Sequence, residues 1–306
     1  MNCQIRFPSG WINASALEQT LRSGHEPHGA DVYEVLFVFP TGCRIMVDTA
    51  VRLLSLFNQL DCCTRRVHLD FEEGEAGAMG YLDRMGFFDH LSENVEVLPA
   101  RPVVSGAEIY GGTNAKLVEI TRINRAYRDD GLPSRLTEAV MRSCGDRADA
   151  HELKGAAWTI FAELIDNIFS HSNTPLDGYA ALQLYSQGNN LQVAVSDSGL
   201  GIMSTLRPAL KHESPALDRL SDTELLVEIF RQGISRHGAD RGCGLKGSAG
   251  KAMKYKANLD VRLPNIRVLL TPKKEGYKPN TAYCYENLPL IWGTHICFTF
   301  RLDTRR

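Results

Sequence analysis

The sequence lacks the features that mark several classes of protein. Its apolar runs, such as 35–40 and 67–71, are far shorter than the roughly 18 residues of a membrane-spanning helix. Lys and Arg number 34 against 36 Asp and Glu, so a formal charge of −2 gives no strong signal for nucleic acid or anionic membranes. Residues 1–30 contain no uninterrupted apolar segment with a cleavage site, which argues against a secretory signal. We therefore expect a soluble, cytoplasmic protein without a membrane partner.

Cysteine pairs of the CxxC type are also missing. The eight cysteines show no metal-ligand spacing, and a chain of 306 residues does not need disulfides to fold, so we expect reduced thiols. The vicinal pair Cys62 and Cys63 has two interpretations, a redox device or ordinary free thiols, of which the second is the commoner outcome. Repeats and low-complexity stretches are absent, which excludes solenoids. The 43% apolar content instead allows about two globular domains.

The amino-terminal third alternates strand and helix patterns. We predict strands at 32–39, 43–47, 66–71 and 95–98, and helices at 49–60 and 78–91, where apolar residues recur every three to four positions. This alternation predicts a small α/β domain at 1–100 with a largely parallel sheet. A connector at 101–150 follows, with helices predicted at 115–127 and 135–142.

The remainder, 151–306, has a different pattern. A long amphipathic helix at 151–171 precedes strands at 179–186 and 191–196, which Gly188, Asn189 and Asn190 are expected to join as a hairpin. Further strands are predicted near 259–270 and 291–302. This order favours an α/β sandwich with an antiparallel or mixed sheet.

Polar residues that carry chemistry recur in this second region. Glu163, Asn167 and His171 share one face of the predicted helix, a pattern that by itself also fits an ordinary solvated face. Asp197 follows an apolar strand and begins a DxGxG sequence with Gly199 and Gly201, where glycine permits a close approach of a ligand or simply a tight turn.

A second glycine-rich segment lies about forty residues further along. Gly242, Gly244, Leu245 and Lys246 lead into a predicted helix at 245–256, the arrangement in which backbone amides and a helix amino terminus meet phosphate oxygens. Near the end of the chain, a Gly-Thr pair at 293–294 enters the last predicted strand.

Taken together, Glu163-xxx-Asn167, the DxGxG sequence, the GxGL sequence at 242–245 and the Gly-Thr pair resemble the ATP-binding domain of the GHKL superfamily. This superfamily includes DNA gyrase B subunits, heat-shock chaperones, histidine kinases, MutL proteins and anti-sigma serine kinases. The resemblance covers about residues 150–302 and implies a Bergerat-type α/β sandwich with a mixed sheet.

The resemblance also implies roles for individual residues, with ATP and Mg²⁺ as cofactors. Asn167 would ligate Mg²⁺ together with the phosphates, and Glu163 would orient or deprotonate the attacking water. Asp197 would accept a hydrogen bond from the adenine amine, supported by Thr294. Lys246 would neutralise phosphate charge or remain a solvated lysine. The glycines that would shape the base pocket and the phosphate-covering lid are Gly199, Gly201, Gly242 and Gly244, followed by Leu245.

Two further resemblances are weaker. The amino-terminal region is similar to a STAS-like domain, but 72–78 has an acidic sequence where the anti-anti-sigma members begin a helix with a phosphorylatable serine. An interaction surface and an ordinary structural domain both remain open. His151 begins a sequence similar to a histidine-kinase phosphoacceptor, but it lies too close to Glu163 for that family, so we do not expect autophosphorylation. His171 would pack or cap its helix.

Three functions follow as expectations. The first is slow, Mg²⁺-dependent ATP hydrolysis that drives a conformational switch toward a protein partner. The alternatives are an anti-sigma-type serine/threonine kinase and a non-hydrolysing ATP-binding interaction module. Because dimers are usual among GHKL proteins, a homodimer is also expected.

Overall fold

The computed structural model describes residues 1–114, 116–124, 129–144, 149–171, 174–185, 187, 189–232, 234 and 243–301. Within these ranges the chain is an α/β protein with a four-stranded, a seven-stranded and a two-stranded sheet. None of the described helices combines the length and apolar character that a membrane crossing requires. Every cysteine whose side chain is described is free of a disulfide.

The amino-terminal region contains the parallel sheet. Its elements are β1 (Asn2–Arg6), β2 (Gly10–Ile12), α1 (Ala14–Ser23), β3 (Glu34–Phe39), β4 (Cys43–Ile45), α2 (Val47–Cys62), β5 (Arg66–Phe71), α3 (Ala78–Arg84), α4 (Phe87–His90) and β6 (Glu96–Leu98). Strands β1, β3, β5 and β6 pair in that order, every pair parallel, while β2 pairs with β4. The predicted parallel α/β arrangement is confirmed.

Two details of this region differ from the prediction. Strand β1 and helix α1 precede the predicted elements, and β1 adds an edge strand to the sheet. The single helix predicted over 78–91 is wrong, because Gly86 adopts φ 74 between α3 and α4. That left-handed conformation is open to glycine at little cost and breaks the helix there.

The rest of the chain builds the larger sheet. Its elements are α5 (Gly106–Tyr110), β7 (Leu117–Ile123), α6 (Leu132–Cys144), α7 (Ala150–His171), β8 (Gly178–Tyr185), β9 (Asn190–Ser196), α8 (Ile202–Glu213), α9 (Pro215–Asp218), α10 (Asp222–Gln232), α11 (Cys243–Lys254), β10 (Asn258–Leu263), β11 (Ile266–Lys273), β12 (Gly276–Pro279) and β13 (His295–Arg301). The strand order is β12-β11-β10-β13-β9-β8-β7, with antiparallel neighbours throughout. Of the two arrangements expected from the order of elements, antiparallel or mixed, the antiparallel sheet is confirmed, and the mixed sheet implied by the GHKL resemblance is wrong.

The segment predicted as a helical connector contributes to this sheet. Residues 117–123 form strand β7 rather than part of a helix, because their β-branched residues Val118, Ile120 and Thr121 suit a pleated, half-buried strand paired with β8. The helix predicted at 135–142 is confirmed as part of α6, which packs on α7. The single strand predicted over 259–270 is the hairpin β10–β11, which turns at Pro264 and Asn265. The domain boundaries at 100 and 150 stay predictions.

Both faces of the seven-stranded sheet are buried. Along β9 and β13, Val193, Val195 and Phe298 face one side, where they pack with helices α6, α7, α10 and α11. The alternate positions, with Ala194 as an example, join the amino-terminal core instead. Alternation of side chains across a strand produces this division. The amino-terminal region is thus packed directly on the back of the larger sheet.

Helix α2 lies between the two main sheets. Every residue from Val47 to Leu60 is buried, including four polar ones at helical spacing: Asp48, Arg52, Ser55 and Gln59. The apolar periodicity of 49–60 predicted an amphipathic helix, for which a water-facing polar side is usual. The structure instead directs this polar stripe toward the seven-stranded sheet, where Arg52, Ser55 and Gln59 have hydrogen-bond partners.

Buried ion pairs also join the two regions. Arg52 donates to Asp260 at 2.7 Å, and Arg267 donates to the other carboxylate oxygen of Asp260 at 2.5 Å. A second pair joins Glu18 of α1 to Arg262 of β10 at 2.9 Å, with both side chains fully buried. Removing water from charged groups is costly, so such pairs are tolerated only in close, well-directed geometry.

Candidate functional site

Asp197 lies just beyond the carboxyl end of β9, and its side chain is held by backbone groups. The Gly199 N–H donates to Oδ1 at 2.7 Å and the Thr294 N–H donates to Oδ2 at 3.1 Å. Only 9% of the residue is exposed. Burial raises the pKa of Asp197 to about 6, although both backbone hydrogen bonds lower it. Each carboxylate oxygen has two lone pairs, so these bonds leave acceptor capacity for a ligand.

Two glycines allow the chain segments of this site to approach each other. Gly293 has φ 96, and a Cβ added there would lie 2.0 Å from the Asp197 carbonyl oxygen. Gly201 has φ 78, and its Cβ would lie 3.1 Å from the Gly293 carbonyl oxygen. Both positions therefore need glycine for conformation, and Gly293 needs it for space as well. The DxGxG sequence and the Gly-Thr pair, predicted separately, form one structural unit.

Thr294 participates in this unit mainly through its backbone. Its carbonyl accepts from the Asp197 N–H at 3.1 Å, and its N–H donates to the Asp197 carboxylate as described above. Its hydroxyl accepts from the Ile202 N–H at 3.1 Å, at the start of α8. Thr294 thus fixes the position of Asp197 and of α8 together.

Helix α7 places Glu163 and Asn167 on its partly exposed side. Ile168, next to Asn167, packs over Gly178, where an added Cβ would lie 2.9 Å from Ile168 and 3.0 Å from the Ser196 carbonyl oxygen. Ser196 directly precedes Asp197, so the carboxyl-terminal part of α7 lies over the same end of the sheet. Ile168, the neighbour of Asn167, therefore lies close to the residue that precedes Asp197.

Helix α11 lies beside α7. The Lys251 ammonium donates to the Thr159 hydroxyl at 2.6 Å, one turn before Glu163. Burial raises the pKa of Glu163, the charge of Asp166 raises it further, and Lys251 lowers it. A carboxylate with a raised pKa suits general base catalysis, because proton transfer is most effective when the pKa is near the working pH.

Part of the second glycine-rich segment falls outside the described residues. Gly242 lies outside the described residues, as do the side chains of Leu245 and His171. The backbones of Gly244 and Leu245 lie in the first turn of α11, and Lys246 is exposed in that turn. The predicted helix after this segment is therefore present, while the roles predicted for its loop stay predictions.

The described residues contain no cluster of three or more His, Cys, Asp or Glu side chains placed to hold a metal ion. The predicted Mg²⁺ site does not require such a cluster, because it combines one amide oxygen with phosphate oxygens and water. Asn167 offers a hard oxygen ligand on the partly exposed face of α7, which fits this role.

Comparison with known proteins finds no matching family model and no matching curated protein.

Sequence reasoning missed the residues behind the Asp197 loop. Gln59 of α2 donates to the Ser198 hydroxyl at 2.9 Å and to the Trp292 carbonyl at 3.1 Å. Its signal in the sequence was a polar residue at helical spacing from Arg52 and Ser55 in an otherwise apolar helix. Such a stripe fits a solvated face equally well unless the second sheet is known to cover it.

Proposed function

We propose that the chain binds ATP with Mg²⁺ at the Asp197 loop, as a GHKL-type nucleotide-binding protein. The observation that carries this proposal is the buried Asp197 carboxylate, fixed by two backbone N–H groups beside Gly293, which has no room for a side chain. Perturbed carboxylates of this kind concentrate at functional sites.

Adenine suits this carboxylate better than guanine. The exocyclic amine of adenine donates a hydrogen bond, which the remaining lone pairs of Asp197 can accept. Guanine presents a carbonyl at the equivalent position, and two acceptors facing each other in a buried site leave both without a partner. A mismatch of this kind gives strong discrimination between similar ligands.

Slow hydrolysis is the proposed reaction. Asn167 would hold Mg²⁺, which neutralises phosphate charge when bound. Glu163 would orient the attacking water and take its proton at the carboxylate, consistent with its raised pKa. The amino end of α11 directs backbone N–H groups toward anionic ligands, a general property of helix termini.

The coupling of nucleotide to a partner is the last part of the proposal. The amino-terminal region, which we interpret as a STAS-like α/β domain, would carry the contact with a protein partner. Its α2 side chains are hydrogen-bonded to the Asp197 loop, so a change at the loop has a direct route to this region. The protein would then act as a nucleotide-dependent switch.

Calorimetric titration with ATP, ADP and GTP, with and without Mg²⁺, tests the binding. We expect ATP to bind with Mg²⁺ and GTP to bind at least about tenfold more weakly, a difference of about 1.4 kcal/mol. Equal affinity for ATP and GTP would remove Asp197 from base recognition. Absence of ATP binding would refute the proposed function.

Glu163→Gln tests the hydrolysis separately. The amide keeps the size of the side chain but cannot accept a proton, so phosphate release should fall by about 100-fold or more while ATP affinity stays unchanged. Glu152→Gln is the control, because Glu152 is exposed near the start of the same helix. If the wild-type protein binds ATP but releases no phosphate, the non-hydrolysing module is the correct function.

A further inference from the structure

The side chain of Gln59 joins the two chain segments that form the Asp197 site. Its Nε2 donates to the Ser198 hydroxyl at 2.9 Å and to the Trp292 carbonyl at 3.1 Å. Its Oε1 accepts from the Trp292 N–H at 2.8 Å. Ser198 directly follows Asp197, and Trp292 directly precedes Gly293. One buried amide therefore fixes both segments from behind.

This arrangement also determines the orientation of the amide. Both donor hydrogens of Nε2 are used, and Oε1 accepts from the backbone N–H of Trp292. A reversed amide would place Nε2 against the Trp292 N–H. Gln59 thus pairs with the backbone N–H and carbonyl of Trp292, as a residue of a neighbouring strand would. It also donates to the Ser198 hydroxyl.

A second chain of hydrogen bonds supports the same segment. His295 bonds to the Trp292 carbonyl through Nε2 at 3.0 Å, so that nitrogen carries the proton. Nδ1 then accepts from the Ser196 hydroxyl, which in turn accepts from the Ser55 hydroxyl at 2.7 Å. Burial lowers the pKa of His295, which keeps the ring neutral. The residues on both sides of Asp197 are therefore tied to α2.

We propose that Gln59 is a positioning residue for nucleotide recognition, which holds the Asp197–Ser198 and Trp292–Thr294 segments at the separation that base binding requires. The inference rests on the proposed function. It assigns to the amino-terminal region a direct part in forming the pocket, since the segments themselves belong to the carboxyl-terminal sheet.

Gln59→Leu and Asn58→Leu form a matched pair for the test. Asn58 is the neighbouring buried amide of α2 and also makes three hydrogen bonds, to the His90 carbonyl at 3.0 Å, the Tyr179 hydroxyl at 2.8 Å and the Ser92 N–H at 2.8 Å. None of these partners belongs to the Asp197 site. Both variants should therefore lose stability by similar amounts in thermal unfolding.

Calorimetric titration of the folded variants separates positioning from stability. Gln59→Leu should weaken ATP binding by about tenfold and reduce the preference for ATP over GTP, because the carboxylate is no longer held in place. Asn58→Leu should leave the ATP affinity and the preference for ATP over GTP unchanged. A general loss of stability does not change the ratio of the ATP affinity to the GTP affinity. This ratio therefore reports only how well the Asp197 carboxylate is positioned.

Ser198→Ala is the milder variant, and it is used if Gln59→Leu does not fold. It removes one hydrogen-bond partner of Gln59 with little change in volume, and it should weaken ATP binding by a smaller factor than Gln59→Leu in the same direction. Wild-type ATP affinity and base preference in Gln59→Leu and Ser198→Ala would overturn the inference and leave the proposed function intact. Wild-type protein that binds no ATP would refute the proposed function and the inference with it.

Discussion

Two aspartates at the interface between the regions have opposite electrostatic surroundings. Asp260 lies between the guanidinium groups of Arg52 and Arg267, and although burial raises its pKa, these charges lower it to about 2. Asp197 is also buried, but among the described residues no cationic side chain pairs with it, and burial raises its pKa to about 6. The same side chain is thus stabilised as an anion at one position and destabilised at the other.

The contrast separates a structural role from a functional one. Asp260 joins helix α2 to strands β10 and β11, and all of its charge is compensated within the fold. Asp197 costs the folded protein free energy whenever it is ionised. We propose that a ligand completes this site, where Gly293 has no space for a side chain beside Asp197.

The largest effect on stability is expected for Asp260→Ala. The substitution removes the carboxylate that is hydrogen-bonded to two buried guanidinium groups, so the free energy of unfolding should fall by about 3–5 kcal/mol in urea denaturation. Glu275→Ala is the control, because it removes an exposed pair with Lys278 and should leave stability almost unchanged. Equal losses in the two variants would show that Asp260 has no special structural role.

Gly293→Ala should have the next largest effect. Its Cβ would overlap the Asp197 carbonyl in a backbone conformation unfavourable to alanine, so we expect a loss of about 2–4 kcal/mol and of ATP binding. Gly276 also has a positive φ, but a Cβ at this position would have open space. The control variant Gly276→Ala should therefore lose less stability and retain ATP binding. Normal ATP binding by Gly293→Ala would contradict the close packing assigned to the site.

The smallest effect is the pH dependence caused by Asp197. Because its pKa is raised in the folded state, the unfolded carboxyl releases its proton first as the pH rises. The free energy of unfolding should therefore decrease by about 2–3 kcal/mol between pH 4 and about 6. Asp197→Asn should lack this decrease when wild type and variant are compared by denaturation at each pH. Parallel pH profiles would show that Asp197 ionises normally.

Periodicity in the sequence was sufficient for most of the secondary structure. Strand β5 has the predicted bounds 66–71, and helix α7 begins one residue before its predicted start. The errors occurred where local preference was ambiguous. Residues 117–123 contain apolar residues at spacings that suit either a helix or a strand, and pairing with β8 decided between them.

The site was partly accessible from the sequence. Asp197, Gly199, Gly201 and Thr294 were identified, and the structure brings them together. Gln59 was not identified, because it lies more than a hundred residues before Asp197 and its polar stripe faces a sheet instead of water. Contacts between distant segments depend on how layers stack, which local periodicity does not determine.

Helix α2 also has a consequence for the separability of the two regions. Its apolar side chains lie in the amino-terminal hydrophobic core, to which Tyr179, Ala181 and Ala194 of the larger sheet also belong. Exchange of its backbone amides with deuterium therefore requires the packing between the helix and the larger sheet to open. Protein expressed as separate halves would expose either this helix or the back of the larger sheet to water. The chain should therefore unfold in a single cooperative transition, and a ligand bound to one region would protect the other as well.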